Sequence, residues 1–206
     1  MENIARDSES WRSFWRRITP IGTGLNFRDE LITRYSENHR AYHTIQHLNE
    51  CLNLFKSQET LASRPEEVYF AIWYHDAIYE AGSYNNEVAS ANLAESHLSE
   101  SCVDQEKIRS ISELILITEH SKSPVGFDQQ LIVDIDLAIL GSDEARFLEY
   151  ERQIEQEYAF VPELIFNRKR KEVLSNFLAR PKIYNTPNFF KKLESRARLN
   201  LTKAFS

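Results

Sequence analysis

The sequence predicts a single all-α domain, and three observations carry that expectation. Apolar residues recur at three- and four-residue spacing through nearly every segment, which is the period of a helix face. Only 5 Gly and 6 Pro in 206 residues leave few places for tight turns. Alternating apolar and polar runs are scarce, and the strand-like "LILIT" falls inside a segment of helix period. With 42% apolar and 27% charged residues, the chain has the bulk and balance of one soluble domain with a real core.

The elements follow in order. Trp11, Phe14, Trp15 and Ile18 form the first stripe, closed by Pro20, and a second runs from about Leu25 to Tyr35. The third covers about 42 to 57, with Ile45, Leu48, Leu52 and Phe55. Ser63 and Glu66 have the spacing of a capping box, with Pro65 in the first turn, so a fourth helix is expected to start there. Val68, Ala71, Ile72, His75 and Ile78 then share a face, and Gly82 is expected to end the helix. Asn85 or Asn86 can cap the next one. Ile108, Ile111, Ile115 and Thr118 mark a further helix, "QQLIVDIDLAILG" another, and the last three lie around 143 to 158, 161 to 180 and 188 to 205. The count comes to roughly eight to ten. No internal repeat, low-complexity tract or Gly/Ser linker divides the chain, so residues 1–206 are expected to form one unit.

Composition narrows the partners. Against 31 acidic residues stand 25 basic ones, a net charge of −6, which disfavours a nucleic-acid polymer and leaves a small phosphorylated ligand open. No apolar run approaches the roughly 18 residues that cross a bilayer, and "MENIARDSESWRSFW" lacks an apolar signal core. Two cysteines, Cys51 and Cys102, are too few for a disulfide scaffold; they read as small buried hydrophobes in a reducing, cytoplasmic protein.

Polar residues interrupt the apolar pattern in three places. In "YHTIQH", His43 and His47 are four apart and would stack on one helix face, as a surface pair or as metal ligands. In "AIWYHDAIYE", His75 lies on the apolar stripe, with Asp76 beside it and Glu80 one turn further on. In "LIVDIDLAIL", the exceptions are both acids, Asp134 and Asp136, and a helix this apolar turns at least one of them inward. Asp134 also fits an N-terminal cap. A buried carboxylate needs a cation, a positive partner or amides. Imidazoles and carboxylates from separate helices suit a divalent ion such as Mn, Mg, Fe, Co, Ni or Zn, held in a bundle core.

The ordered set His47, His75 with Asp76, and Asp136 resembles the H…HD…D motif of the HD-domain superfamily of metal-dependent phosphohydrolases, which are helical bundles. "YHTIQH", "WYHDAIYE", "NNEVASANLAE", "TEH", "DIDLAILG", "IYNT" and "ESRARLNL" look like a bacterial group of predicted HD phosphohydrolases of about this length, over about residues 40 to 201. The resemblance implies an HD-type bundle with a motif core at about 40–141 and C-terminal helices at 143–205 packed on it. It also implies one or two divalent ions and hydrolysis of a phosphomonoester or phosphodiester in a small molecule, most plausibly a nucleotide. "YHTIQH" is further similar to the corresponding stretch of cyclic-nucleotide phosphodiesterases. By that likeness His43 would be the acid that protonates the leaving oxygen and His47 a ligand.

Other roles stay open at this level. Glu80 stands where alarmone hydrolases carry the second of two acids, but Tyr79 replaces the first; Glu80 or Asp134 could orient the attacking water. His120, in "LITEHSKSP", could serve a second metal or the substrate phosphate, or simply complement a helix C-terminus. His97 reads as a solvated surface residue, and the basic run at 168–171 as a solvated helix face that could attract an anion. Arg196 and Arg198 read as packing or ion-pair residues. Two other functions compete with hydrolysis. One is a catalytically silent regulatory module; the other is a di-iron oxygenase that recruits His97 and His120.

Overall fold

The computed structural model describes residues 3–204, and the regular structure among them is helical, with ten α-helices and no strand. In chain order these are α1 (Ser8–Ile18), α2 (Leu25–Arg34), α3 (Ile45–Lys56), α4 (Pro65–Tyr74), α5 (Asn86–Glu100), α6 (Gln105–Leu116), α7 (Phe127–Asp136), α8 (Glu144–Glu157), α9 (Glu163–Ala179) and α10 (Pro187–Lys203). A 3₁₀ turn over Leu137–Gly141 prolongs α7 towards α8.

The hub is α4, in which every residue from Glu67 to Tyr74 is buried. A helix apolar around its circumference must be enclosed by others. One side is covered by α1, whose expected stripe of Trp11, Phe14, Trp15 and Ile18 is buried. Trp11 meets Phe70 and Trp73 edge-on at centroid distances of 5.2 and 5.0 Å, and Phe14 stacks on Tyr69 at 3.9 Å. Such pairs add about 0.5–1.5 kcal/mol each beyond the area they bury. Helices α3, α5, α6 and α7 pack around the rest of α4, and the buried apolar side chains form one cluster from Ile4 to Leu201. Among the described residues, no helix is long and apolar enough to cross a membrane.

Three local expectations are corrected. The Ser63–Glu66 capping box does not form. Instead Asp128 of α7 accepts the amides of Ser63 and Arg64 at 2.8 and 2.9 Å, while the Glu66 carboxylate pairs with Arg17. Next, α4 ends at Tyr74, well short of Gly82, because other elements take the main chain that follows. Ser90 of α5 both donates to and accepts from Ile78, Asn86 does the same for Glu80, and the buried Arg40 donates to the carbonyls of Asp76 and Ala77. Finally, Cys51 is buried as expected, but Cys102 is exposed, at a φ of 53° in the turn after α5.

At the C-terminal end, α10 lies along the Leu137–Gly141 turn. The approach at Gly141 is close enough that an added Cβ would sit 2.7 Å from the Cβ of Leu193. By contrast Leu174 is the one buried residue of α9.

Candidate metal centre

Four segments bring the interrupting residues together. His47 projects from the first turn of α3, which Thr44 starts by accepting the Gln46 amide. His75 and Asp76 leave the end of α4, and Asp136 is the last residue of α7. Release of residues 75–80 from the helix lets two neighbours in sequence aim at one point, which a continuing helix would keep about 100° apart.

The Nε2 atoms of His47 and His75 lie 3.1 Å apart. Asp76 Oδ2 is 3.4 Å from the first and 3.1 Å from the second, and Asp136 Oδ1 is 3.2 and 3.6 Å from the same two nitrogens. A single ion with ligand bonds of about 2.1 Å sets its ligands about 3.0 Å apart at right angles and about 3.4 Å apart at tetrahedral angles. The donor spacing therefore fits one ion. His75 Nδ1 donates to the carbonyl of Ile72 at 2.8 Å, which fixes the tautomer that leaves Nε2 bare for a ligand role.

Cys51, one turn beyond His47, has its thiol 3.8 Å from both ring nitrogens of His47. Ligand atoms of His47, Cys51, His75 and Asp136 all lie within 4.8 Å of one another, so this buried group could hold a metal ion. The signal for Cys51 was its place on the His47 stripe of α3, where reading it only as an apolar filler concealed it. Burial alone would lower both imidazoles and raise both carboxylates. Neighbouring groups outweigh burial: Cys51 and Tyr42 act first on His47, Asp76 and Tyr35 on His75, His75 and His43 on Asp76, and His120 and His47 on Asp136, holding the two imidazoles well above 6.5 and the two carboxylates well below 3.8.

His43 precedes α3 rather than lying on it, which corrects the expected helical stacking; its ring centroid is 6.0 Å from that of His47. Its Nδ1 is 2.7 Å from Oε2 of Glu157, at the end of α8, and its ring stacks on Tyr79 at 3.9 Å. Glu157 is buried and fully engaged. It also accepts the amides of residues 41, 42 and 43 at 2.8, 2.8 and 3.0 Å and the Tyr79 hydroxyl at 2.9 Å. Burial pushes its carboxyl up, but His43 and the amides outweigh that and hold it down to about 2. Arg40 completes the frame by donating to the carbonyls of both His43 and Asp76. Neither Glu157 nor Arg40 stands out in the sequence, because each lies in an ordinary polar stretch.

The remaining sequence candidates divide. His120 Nε2 is 2.8 Å from Asp136 Oδ2, so His120 contacts the cluster through its carboxylate. Asp134 is fully buried away from the cluster. It accepts the amide and side-chain nitrogen of Asn185 and the amide and hydroxyl of Thr186, at 2.6 to 2.9 Å, at the start of α10. Glu80 is exposed, and its main chain bonds to the Asn86 side chain and to the Ser83 amide. His97 is buried, against the expectation of a solvated surface. Phe27 stacks on its ring, Tyr74 bonds its Nδ1 at 3.1 Å, and Glu30 lies 3.4 Å from its Nε2. These partners tie it to α2 and α4, not to the cluster. In the basic run, Lys169 pairs with Glu172 and Arg170 with Glu151 on α8. Arg198 caps the carbonyls of Leu178, Arg180 and Pro181, and Arg196 donates to Gly141.

A cavity of about 370 Å³ opens against the cluster, walled by His47, Cys51 and Asp136 on one side and by Tyr42, Arg146 and Arg196 elsewhere. Comparison of the chain with protein-family models, with curated proteins and with solved structures finds no match.

Proposed function

We propose that the protein is a metal-dependent phosphohydrolase of HD type acting on a small phosphorylated molecule. The observation that carries this reading is the convergence of two imidazole Nε2 atoms and two carboxylates at 3.1 to 3.6 Å, next to an imidazole held by a buried carboxylate. His47, His75, Asp76 and Asp136 would hold the divalent ion, with Cys51 bordering it. When bound, the ion supplies positive charge for a phosphate oxygen and lowers the pKa of a bound water.

The chain's own residues supply the rest. Glu157 holds the Nδ1 side of His43, leaving Nε2 as the nitrogen that meets a ligand and delivers a proton to a leaving oxygen. Tyr79 fixes the plane of that ring by stacking and, through its hydroxyl, steadies Glu157. His120 orients Asp136 from behind. The adjoining cavity, with largely apolar walls and two arginines, has room for a nucleoside-sized group.

The test is product release from a panel of nucleotides and phosphodiesters with each divalent metal, read as inorganic phosphate from monoesters and as the monoester product from diesters, using His75→Ala/Asp76→Ala as the blank. Metal-dependent release that is absent from the blank supports hydrolysis. No release by protein shown to carry its ion sinks the proposal.

A further inference from the structure

A second cavity lies on the far side of His120. It measures about 330 Å³, and its wall includes His120, Lys122, Ser123, Arg180, Lys182 and Asn185, with no acidic residue. In a chain with more acids than bases this wall stands apart from cations such as Arg17, Arg34, Arg40 and Arg146, each of which faces a carboxylate. Among the described residues, Lys122 and Lys182 have no carboxylate partner; Lys182 rests over the Phe190 ring at 5.1 Å. The Arg180 guanidinium donates one bond, to the carbonyl of His120 at 3.0 Å, and lies over Phe177 at 4.6 Å. Burial pulls its guanidinium below 12.5 with no anion to offset it. His120 adds a buried Nδ1 without a partner.

The wall is also held rigid. Residues 180–186 form an irregular link between α9 and α10, yet three buried or half-buried side chains are spent on fixing it. Glu194 accepts the amides of Ile183 and Tyr184, Asp134 accepts those of Asn185 and Thr186, and Arg198 donates to the carbonyls at 180 and 181. A link fixed this firmly presents Arg180, Lys182 and Asn185 as a preformed surface opposite Lys122.

We propose that this cavity is an anion subsite that takes the phosphate or pyrophosphate group of a small molecule. Unpaired cations in a concave, acid-free wall recognise such a group by charge and by N–H donors. Through the contact of His120 with Asp136, occupancy would be sensed at the metal cluster. The inference requires an anion and not turnover, so it stands apart from the hydrolase reading.

The experiment is a calorimetric titration of the full-length, chelator-treated protein with inorganic pyrophosphate. Wild type should bind it saturably, whereas Lys122→Gln/Lys182→Gln should bind about tenfold or more weakly. Both lysines are exposed, so the double variant is expected to fold; its circular dichroism verifies this. Absence of saturable binding, or equal affinity in the double variant, overturns the proposal. Neither result bears on metal-dependent hydrolysis, whose own failure would leave this titration intact. Where binding is found, a nucleoside monophosphate expelled by pyrophosphate identifies a group carried on the substrate. Simultaneous occupancy identifies a separate effector.

Discussion

Glu157, at the end of α8, and His43, just ahead of α3, are joined by a 2.7 Å contact between Oε2 and Nδ1 across 114 residues of sequence. The carboxylate's partners are the amides of residues 41 to 43, the His43 ring and the Tyr79 hydroxyl, so its influence on the candidate metal centre passes through the imidazole. Replacing Glu157 by Gln keeps an acceptor for the amides of residues 41 to 43 and removes the charge facing His43. We expect kcat to fall about 10- to 100-fold with KM little changed. Steady-state kinetics on the preferred substrate measure this, and an unaltered kcat would remove His43 from the proton-transfer role.

The same carboxylate sets an acid limit on stability. Its pKa is about 2 in the folded protein against 4.5 for the free side chain, so the folded state binds the proton less readily than the unfolded one. Its stabilisation is fully present above pH 4.5 and is lost as pH falls through that value towards 2, amounting to about 3 kcal/mol. Urea denaturation of wild type and Glu157→Gln from pH 6 to pH 2 should give curves that converge on the acid side. Parallel curves would show that the contact contributes no such linkage.

Ligand identity separates Asp76 from Cys51. Asp76 Oδ2 is nearer to both Nε2 atoms, at 3.1 and 3.4 Å, than the thiol is to His47 at 3.8 Å. Asp76→Ala and Asp136→Ala should abolish metal binding with the helical fold retained, while Cys51→Ala keeps the wild-type stoichiometry. Cobalt loading reads this directly: we expect no sulfur-to-cobalt charge-transfer band in wild type. A strong band, or loss of the ion on Cys51→Ala, would make the thiol a ligand.

Asp134→Asn should destabilise the protein by about 2–3 kcal/mol, because its new amide faces the Thr186 donors at 2.6 and 2.7 Å. Metal stoichiometry in the cold should be unchanged, since Asp134 lies outside the cluster. Chemical denaturation and metal analysis check the two parts, and a loss of metal without loss of stability would reverse the assignment.

The repeating apolar spacing made the helices legible, and α1 is buried on the residues its pattern marked. What periodicity cannot convey is where distant polar groups interrupt a helix. The end of α4 at Tyr74 is decided by Arg40, Asn86 and Ser90, each from another segment. The ordered set of His47, His75, Asp76 and Asp136 stood out because charge in an apolar run is costly without a partner. Glu157 escaped notice because acids abound in α8, and only the fold shows that this one is buried. His97 misled in the opposite sense: its neighbours in sequence are polar, while Phe27 and Tyr74 come from elsewhere.

One short helix, α7, ends with two acids that face different tasks. Asp136 belongs to the candidate metal centre, and two residues earlier Asp134 waits for donors from Asn185 and Thr186. During synthesis on the ribosome, those donors emerge some fifty residues after the acid that needs them. Until then α7 carries an uncompensated carboxylate and has no reason to hold its final position. The acid end of α7 is thereby completed by a segment that follows it by about fifty residues, so its final geometry waits on the link into α10.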